Sequence, residues 1–172
     1  GERRYRLPTV SGDEALVDEL EVAASEQWRK KARRSLGALR RSVLARQAQY
    51  GEVAFLLEPD LKEGRGGLRD VHALRWAEGA RAVLEPGDAE ALEAAEDVLF
   101  SARVELHRAT GRASDQLSLQ DQDAVAEALA QTADELMADI ARSARRVAWI
   151  ADETWDCVGA SLSTSPSLLG WR

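Results

Sequence analysis

Apolar residues recur every three or four positions along most of this 172-residue chain. This spacing places them on one face of an α-helix. The pattern indicates helices over about 11–50, 68–84, 88–110, 118–130 and 133–158. Alanine and leucine dominate the apolar set and aromatic residues make up only 5% of the chain, which favours helix over sheet. We therefore predict an all-α fold, built as an antiparallel helical bundle.

Several of these helices have recognisable ends. Ser11 and Thr132 each stand three residues before a glutamate, which is the capping-box pattern of a helix start. Asp88 is expected to cap the helix over 88–110. Gly51 is the expected end of the first helix. Unbroken, that helix would be about 60 Å long, and we expect any bend or break at Gly37.

The two ends of the chain lack this periodicity. Residues 1–10 carry several arginines and a proline without a helical pattern, and we expect a disordered arm. Residues 159–172 are rich in serine, threonine, glycine and proline, and we expect a disordered tail. The helical domain is therefore predicted to span 11–158.

Charge and cysteine content limit the kinds of partner and the cellular compartment that we expect. The net charge of −7 argues against nucleic acid as a partner for the chain as a whole. The single cysteine permits no internal disulfide, and no apolar run is long enough to span a membrane. We therefore expect a cytoplasmic protein with no membrane partner.

Charge is also divided along the first predicted helix. Its first half is acidic and its second half, from Arg29 to Arg46, is basic. This division complements the helix dipole and solvates the surface, which is the interpretation we favour. The alternative is that the basic half faces a nucleotide or an acidic partner.

The helical pattern is interrupted between 53 and 67. Val53–Leu57 is a short apolar run that ends at Glu58-Pro59, and its length and flanks predict one buried, extended strand. Nothing else in the chain resembles a strand. Since a lone strand cannot satisfy its own backbone, this segment either pairs with protein outside the chain or is an extended, packed segment.

A glycine-rich, highly charged loop follows and leads into a helix near Leu68. Such a turn can expose unpaired N–H groups at the positive end of a helix dipole, and Lys62, Arg65 and Arg69 would add charge to an anion site. The neighbouring acids instead suggest a mixed polar network. The candidate site residues of this loop are Glu58, Asp60, Lys62, Gly64, Arg65, Gly66, Gly67, Arg69 and Asp70.

Other chemistry-bearing residues are sparse. His72 and His107 have no companions at metal-ligand spacing, so no metal site is predicted. We expect Arg103, His107 and Asp115 to form a structural polar cluster rather than a catalytic one, because no nucleophile is in view. No Asp-x-Asp pair follows a Gly-Ser or Gly-Gly turn, so the chain has no ligand set for two-metal nucleotidyl transfer and no catalytic residue is assigned.

Two segments resemble a known family. The run LLEPDLKEGRGGLRDVHALRW and the later run LFSARVELHRATGRASDQLSLQDQDAVAEAL are similar to bacterial PII uridylyltransferases, the bifunctional uridylyltransferase/uridylyl-removing enzymes of nitrogen regulation. The resemblance covers roughly residues 12–158. It implies a helical region between an N-terminal nucleotidyltransferase domain and a metal-dependent HD phosphohydrolase domain.

The resemblance also implies a function for the parent enzyme. Such an enzyme uses UTP and Mg²⁺ to transfer UMP to a tyrosine of the PII signalling protein, and this chain's own residues would bind neither. Its expected partners are PII and the nucleotidyltransferase and HD domains of the same polypeptide. Alternatives are a non-catalytic helical interaction module, or the helical domain of a relative that transfers another nucleotide, such as AMP.

Two roles remain open for the glycine-rich loop. In the first, Lys62, Arg65 and Arg69 position the triphosphate or orient PII, while Glu58 and Asp60 anchor the loop. In the second, the loop is a structural latch whose charges pair with each other and with helix ends.

Overall fold

The computed structural model describes residues 13–81 and 84–163, and this part of the chain contains six α-helices and no β-strand. The helices are α1 (Glu14–Lys30), α2 (Ala32–Tyr50), α3 (Leu68–Arg81), α4 (Asp88–Thr110), α5 (Leu119–Ala128) and α6 (Ala133–Ser163). The all-α prediction is confirmed. Among the described helices, none is long and apolar enough to cross a membrane.

The first predicted helix is broken, but not at Gly37. The break lies at Lys31, between α1 and α2, while Gly37 remains inside α2. The two halves share one partner and differ in a second: α1 packs on α3, where the Trp28 indole N–H donates to the Trp76 carbonyl (2.8 Å), whereas α2 packs on α3 and also on α6, where Arg33 donates to a carbonyl (2.7 Å). Tertiary contacts therefore set the position of the break and outweigh the cost of a helical glycine, about 1 kcal/mol.

The helix ends agree with the sequence pattern in part. At α6 the capping box is confirmed: the Thr132 N–H donates to Glu135 Oε2 (2.9 Å), and the Glu135 N–H donates to Thr132 Oγ1 (3.3 Å). Gly51 ends α2, as predicted. Asp88 is the first residue of α4 rather than its cap.

The first and last helices reach the edges of the described part of the chain. Ser11 and the arm over 1–10 lie outside the described residues, and the cap of α1 is Asp13, whose carboxylate accepts the Ala15 N–H (2.9 Å). At the other end α6 continues beyond Val158 to Ser163, past the predicted start of the tail. Residues 164–172 lie outside the described part.

Two apolar cores lie along the molecule. The first joins α2, α3, the start of α4 and the C-terminal half of α6; its larger members include Leu36, Val43, Leu74, Leu92, Val147, Ile150 and Trp155. The second joins the later half of α4, α5 and the N-terminal half of α6; it includes Val53, Leu61, Leu68, Leu99, Leu106, Leu117, Val125, Leu136 and Ile140. The glycine-rich loop lies where the two meet, because Leu68 belongs to one core and Val71, on the next turn of α3, belongs to the other.

The strand predicted for Val53–Leu57 is wrong. Val53–Phe55 forms a single 3₁₀ turn, and the extended pairing nearby is limited to isolated bridges of Glu52 with Arg65 and of Asp60 with Gln116. The Val53 N–H donates to the Arg65 carbonyl (3.0 Å), so the backbone finds its partner inside the chain. An apolar run without alternation cannot distinguish a strand from such a turn.

Candidate functional site

The backbone of the glycine-rich loop is fully engaged. Every N–H from Leu61 to Asp70 donates to an acceptor within the chain. At the start of α3, for example, the Leu68 N–H donates to the Leu61 carbonyl (3.1 Å) and the Arg69 N–H to the Lys62 carbonyl (3.0 Å). The expectation of unpaired N–H groups at this helix start is therefore wrong, and these amides are not free to hold an anion.

Asp60 organises the first half of the loop. Its Oδ1 accepts the N–H groups of Lys62 (3.0 Å) and Glu63 (2.7 Å), and its carbonyl accepts the Gly64 N–H (3.2 Å). This is the local turn that aspartate side chains favour. The anchoring contacts that the sequence suggested for Asp60 are thus present.

Close packing explains the three glycines. A Cβ on Gly64 would lie 2.7 Å from Val53 Cγ2, and one on Gly67 would lie 2.9 Å from the carbonyl oxygens of Gly64 and Leu61. At Gly66, where φ is +82°, a Cβ would overlap the Ala144 carbonyl of α6. Any side chain at these positions would push the loop away from its neighbours.

Asp70 lies at the centre of the loop and is completely buried. Its carboxylate accepts hydrogen bonds from Arg46, from Gln47 Nε2 (3.1 Å) and from the Gly66 N–H (2.7 Å). Arg46 also donates to the Glu63 carbonyl (2.6 Å). One buried carboxylate thus joins α2, the loop and α3.

The basic side chains of the loop have acidic partners in the same chain. Lys62 Nζ lies 3.1 Å from Asp115 Oδ2, and Arg69 Nε lies 3.1 Å from Glu63 Oε1. Arg65 bridges Glu52 and Asp152 of α6, both at 2.5 Å. The hydrogen bond to Asp152 raises the pKa of the Arg65 guanidinium, although burial opposes it.

Arg103, His107 and Asp115 lie together, and Lys62 joins them. Asp115 Oδ1 accepts from Arg103 Nε (2.6 Å) and lies 3.1 Å from His107 Nε2. Burial alone would raise the pKa of the Asp115 carboxyl, but hydrogen bonds from Arg103 and Lys62, the charge of Arg103 and the His107 contact together hold it below the ordinary value. The cluster therefore ties α4 to the glycine-rich loop through an ionised carboxylate.

Glu58 holds the start of α5. Its Oε1 accepts the Leu119 N–H (2.9 Å). The carbonyls of its two neighbours in the chain also accept hydrogen bonds: Leu57 from Gln122 Nε2 (2.7 Å) and Pro59 from the Leu117 N–H (2.9 Å). Glu58 also lines a polar depression of about 330 Å³ between the end of α4 and the start of α5. The other predicted site residues do not line it.

Five partners of this network are missing from the residues predicted from the sequence: Arg46, Gln47, Glu52, Gln122 and Asp152. Arg46 belongs to the basic run, which we assigned to a solvated surface, yet it binds the buried Asp70. Arg40 of the same run donates to the Trp155 carbonyl (3.0 Å). The one available signal was Asp70 itself, since a carboxylate on the buried face of a helix needs a cationic partner.

The remaining histidine lies apart. His72 is half-exposed and 3.5 Å from Glu96, which also binds Arg75. Within residues 13–81 and 84–163, no group of three or more histidine, cysteine or acidic side chains has the arrangement of a metal site.

The Asp115 cluster predicts a pH-dependent stability. Because the folded pKa of Asp115 lies below its ordinary value of 3.8, its contribution is fully present above that value and is lost as the pH falls through the folded pKa. We expect Asp115→Asn to lower the free energy of unfolding by about 1–3 kcal/mol at pH 7, with a difference from the parent that shrinks in acid. Urea unfolding at pH values from 7 down to 3 measures this difference.

The matched control is Asp97→Asn at an exposed position of α4. Its stability curve should run close to that of the parent at every pH. A difference between Asp115→Asn and the parent that stays constant down to the lowest pH would contradict the ionised cluster.

Known proteins match most of the chain. A family model described as GlnD PII-uridylyltransferase matches residues 34–155, which include the whole loop and the Asp115 cluster. The chain is 43% identical to the bifunctional uridylyltransferase/uridylyl-removing enzyme of Streptomyces coelicolor over 154 residues, which cover 89% of this chain and 18% of the relative. No solved structure gives a significant match.

Two further relatives carry the same description. The Mycobacterium tuberculosis enzyme is 37% identical over 126 residues, covering 70% of this chain and 16% of the relative. The Rhodopseudomonas palustris enzyme is 32% identical over 157 residues, covering 84% and 17%. The chain therefore spans less than a fifth of the length of the curated relatives that it matches.

Proposed function

This chain belongs to the GlnD PII-uridylyltransferase family, and we propose that it acts as the helical region of a bifunctional uridylyltransferase/uridylyl-removing enzyme. In this proposal the parent enzyme transfers UMP from UTP to a tyrosine of PII with Mg²⁺. UTP and Mg²⁺ belong to a nucleotidyltransferase domain elsewhere in the polypeptide, because this chain lacks the corresponding acidic pair.

Within that enzyme we infer that the glycine-rich loop is a latch. The observation that carries this inference is the complete internal use of its backbone N–H groups from Leu61 to Asp70. Its cations are also used internally: Lys62 faces Asp115, Arg65 faces Glu52 and Asp152, and Arg69 faces Glu63. A phosphate-binding loop would instead keep such donors free.

The latch fixes the positions of the helices relative to one another. Asp70 holds α2 against α3, Arg65 holds the loop to α6, and Asp115 holds it to α4. These contacts fix the position of the two apolar cores relative to each other, so that the catalytic domain packs on a surface of constant shape. The glycine-rich loop therefore contributes only indirectly to UMP transfer.

The discriminating experiment compares variants of the full-length enzyme in the transfer of labelled UMP from UTP to PII. Arg69 is the best probe, since its side chain is half-exposed and its ion pair with the partly exposed Glu63 is screened by solvent. A latch predicts that Arg69→Ala changes kcat and the KM for UTP by less than about twofold. The matched control is Arg142→Ala, which removes an exposed ion pair on α6.

A contrary result would be clear. If Arg69→Ala raised the KM for UTP or for PII tenfold while Arg142→Ala did not, the loop would contact substrate and the latch proposal would fail. If the unaltered full-length enzyme transferred no UMP to PII, the proposed activity itself would fail.

A further inference from the structure

The first three turns of α1 carry an apolar face that the rest of the described structure leaves largely open. Leu16, Leu20 and Val22 are 64%, 59% and 51% exposed, and α1 buries none of its residues. Among the described helices α1 packs on α2 and α3 alone, and Trp28 and Arg29 in its last turn make hydrogen bonds to α3. Large apolar side chains grouped in this way mark interaction surfaces more often than scattered ones do.

Beside Leu16 and Leu20 lies a shallow depression with apolar side chains at its centre and acids around it. It measures about 390 Å³, and its lining residues are Asp18, Glu19, Val22, Ala23 and Glu26. Glu26 lies 3.5 Å from Lys30, but both side chains are more than half exposed and solvent screens the pair. Within the described part of the chain, Asp18 and Glu19 have no cationic partner. The depression therefore suits an occupant that presents apolar side chains together with positive charge.

The segment of the chain that precedes α1 has this character. Residues 1–10 contain three arginines and one acid, with three large apolar residues among them: Arg3, Arg4, Arg6, Glu2, Tyr5, Leu7 and Val10. By contrast, residues 164–172 carry Arg172 as their only charged side chain. Charge complementarity thus favours residues 1–10 over the other end of the chain as the occupant of the depression.

Residues 1–10 are also within reach of the depression, because they are joined directly to α1. Along the helix axis, Val22 lies about 14 Å and Glu26 about 20 Å beyond Asp13, at 1.5 Å per residue. Turning back from Asp13, the seven residues to Arg6 can span about 23 Å. The tether supplies a high effective concentration, so this contact needs less area than an interface between separate proteins.

We propose that the exposed face of α1 is the docking surface for residues 1–10 of the same chain. The apolar side chains of this segment cover Val22, and its arginines pair with Glu19 and Glu26. The proposal replaces the expectation that residues 1–10 form a disordered arm. It concerns contacts within the chain and does not rest on the proposed function.

Carbodiimide cross-linking of the full-length enzyme tests the contact. Residues 1–12 contain no lysine, so Arg6→Lys and, separately, Thr9→Lys each place one reactive amine in the segment. Carbodiimide joins an amine to a carboxylate only where the two are in contact, and mass spectrometry locates the new amide. Docking predicts that position 6 is joined mainly to Glu26 and position 9 mainly to Glu19, because the segment runs back along α1.

The other outcomes of this experiment would each overturn the proposal. A tethered but undocked segment would be joined from both positions to the carboxylates nearest its attachment, Asp13 and Glu14. Products with carboxylates outside α1 would place the segment on another surface. In a mixture of ¹⁵N-labelled and unlabelled enzyme, products that join one isotope to the other would show docking on a second copy.

Hydrogen exchange of the full-length enzyme measures the effect of docking on α1. Reversing the charge of the segment with Arg3→Glu, Arg4→Glu and Arg6→Glu should speed exchange in the first three turns of α1 by about threefold or more, because these open turns lose a contact. The matched control, Arg142→Glu with Arg145→Glu, reverses two exposed arginines of α6 and should leave exchange in α1 unchanged. Exchange that stays the same after reversal in the segment would contradict docking.

Discussion

Gly66→Ala is expected to lower the free energy of unfolding by about 3 kcal/mol or more. Part of this cost is conformational, because φ at Gly66 is +82° and a side chain in that region costs roughly 1–2 kcal/mol. The larger part is steric, because the new Cβ would overlap the Ala144 carbonyl of α6. Backbone cannot move aside as a flexible side chain can, so α6 or the loop must shift and weaken the contacts of Arg65 and Asp70.

Urea unfolding followed by far-UV circular dichroism measures this cost as a lower midpoint at constant slope. Gly79→Ala is the matched control, since Gly79 lies inside α3 and a Cβ added there would meet no atom within 4 Å. There alanine should be neutral or stabilising by about 0.5–1 kcal/mol. Equal effects at both positions would contradict the close approach of the loop to α6.

Helical periodicity predicted the all-α class because each buried face obeys a local spacing rule. On α3, for instance, Leu68, Val71 and Leu74 are all at most 3% exposed, as their spacing predicts. The break at Lys31 could not be predicted from this spacing. Glycine is the residue that local rules mark, whereas the break lies where the chain begins to pack on α6 as well as on α3.

In the candidate site, too, short-range features could be predicted from the sequence, whereas contacts with distant helices could not. Asp60 and its turn follow from a short-range rule, and so does the need for glycine in the loop. Besides the nearby Gly66 and Glu52, the partners of Asp70 and Arg65 come from α2 and α6, and Asp152 is 87 residues from Arg65. Composition indicated a mixed polar network, but pairing within it depends on tertiary structure that a single sequence does not specify.

Asp70→Asn is expected to cost about 3–5 kcal/mol, as large an effect as that of Gly66→Ala. Every group that contacts the Asp70 carboxylate is a donor: Arg46 binds one oxygen, while Gln47 and the Gly66 N–H bind the other. The amide of asparagine must place an NH₂ group against one of these donors. Since Asp70 is fully buried, water cannot supply the missing acceptor.

Asp152→Asn is the matched control for Asp70→Asn, because it also removes a carboxylate that binds an arginine. Its side chain is 57% exposed, so its loss should cost less than about 1 kcal/mol. The two variants are compared by urea unfolding at pH 7, together with the double variant Asp70→Asn, Arg46→Met. Removing the cation should recover part of the Asp70→Asn loss, because the uncompensated buried charge is then gone. If Asp70→Asn cost no more than Asp152→Asn, the buried carboxylate would not be the centre of the latch, and the fixed relation between the two cores would have to come from apolar packing alone.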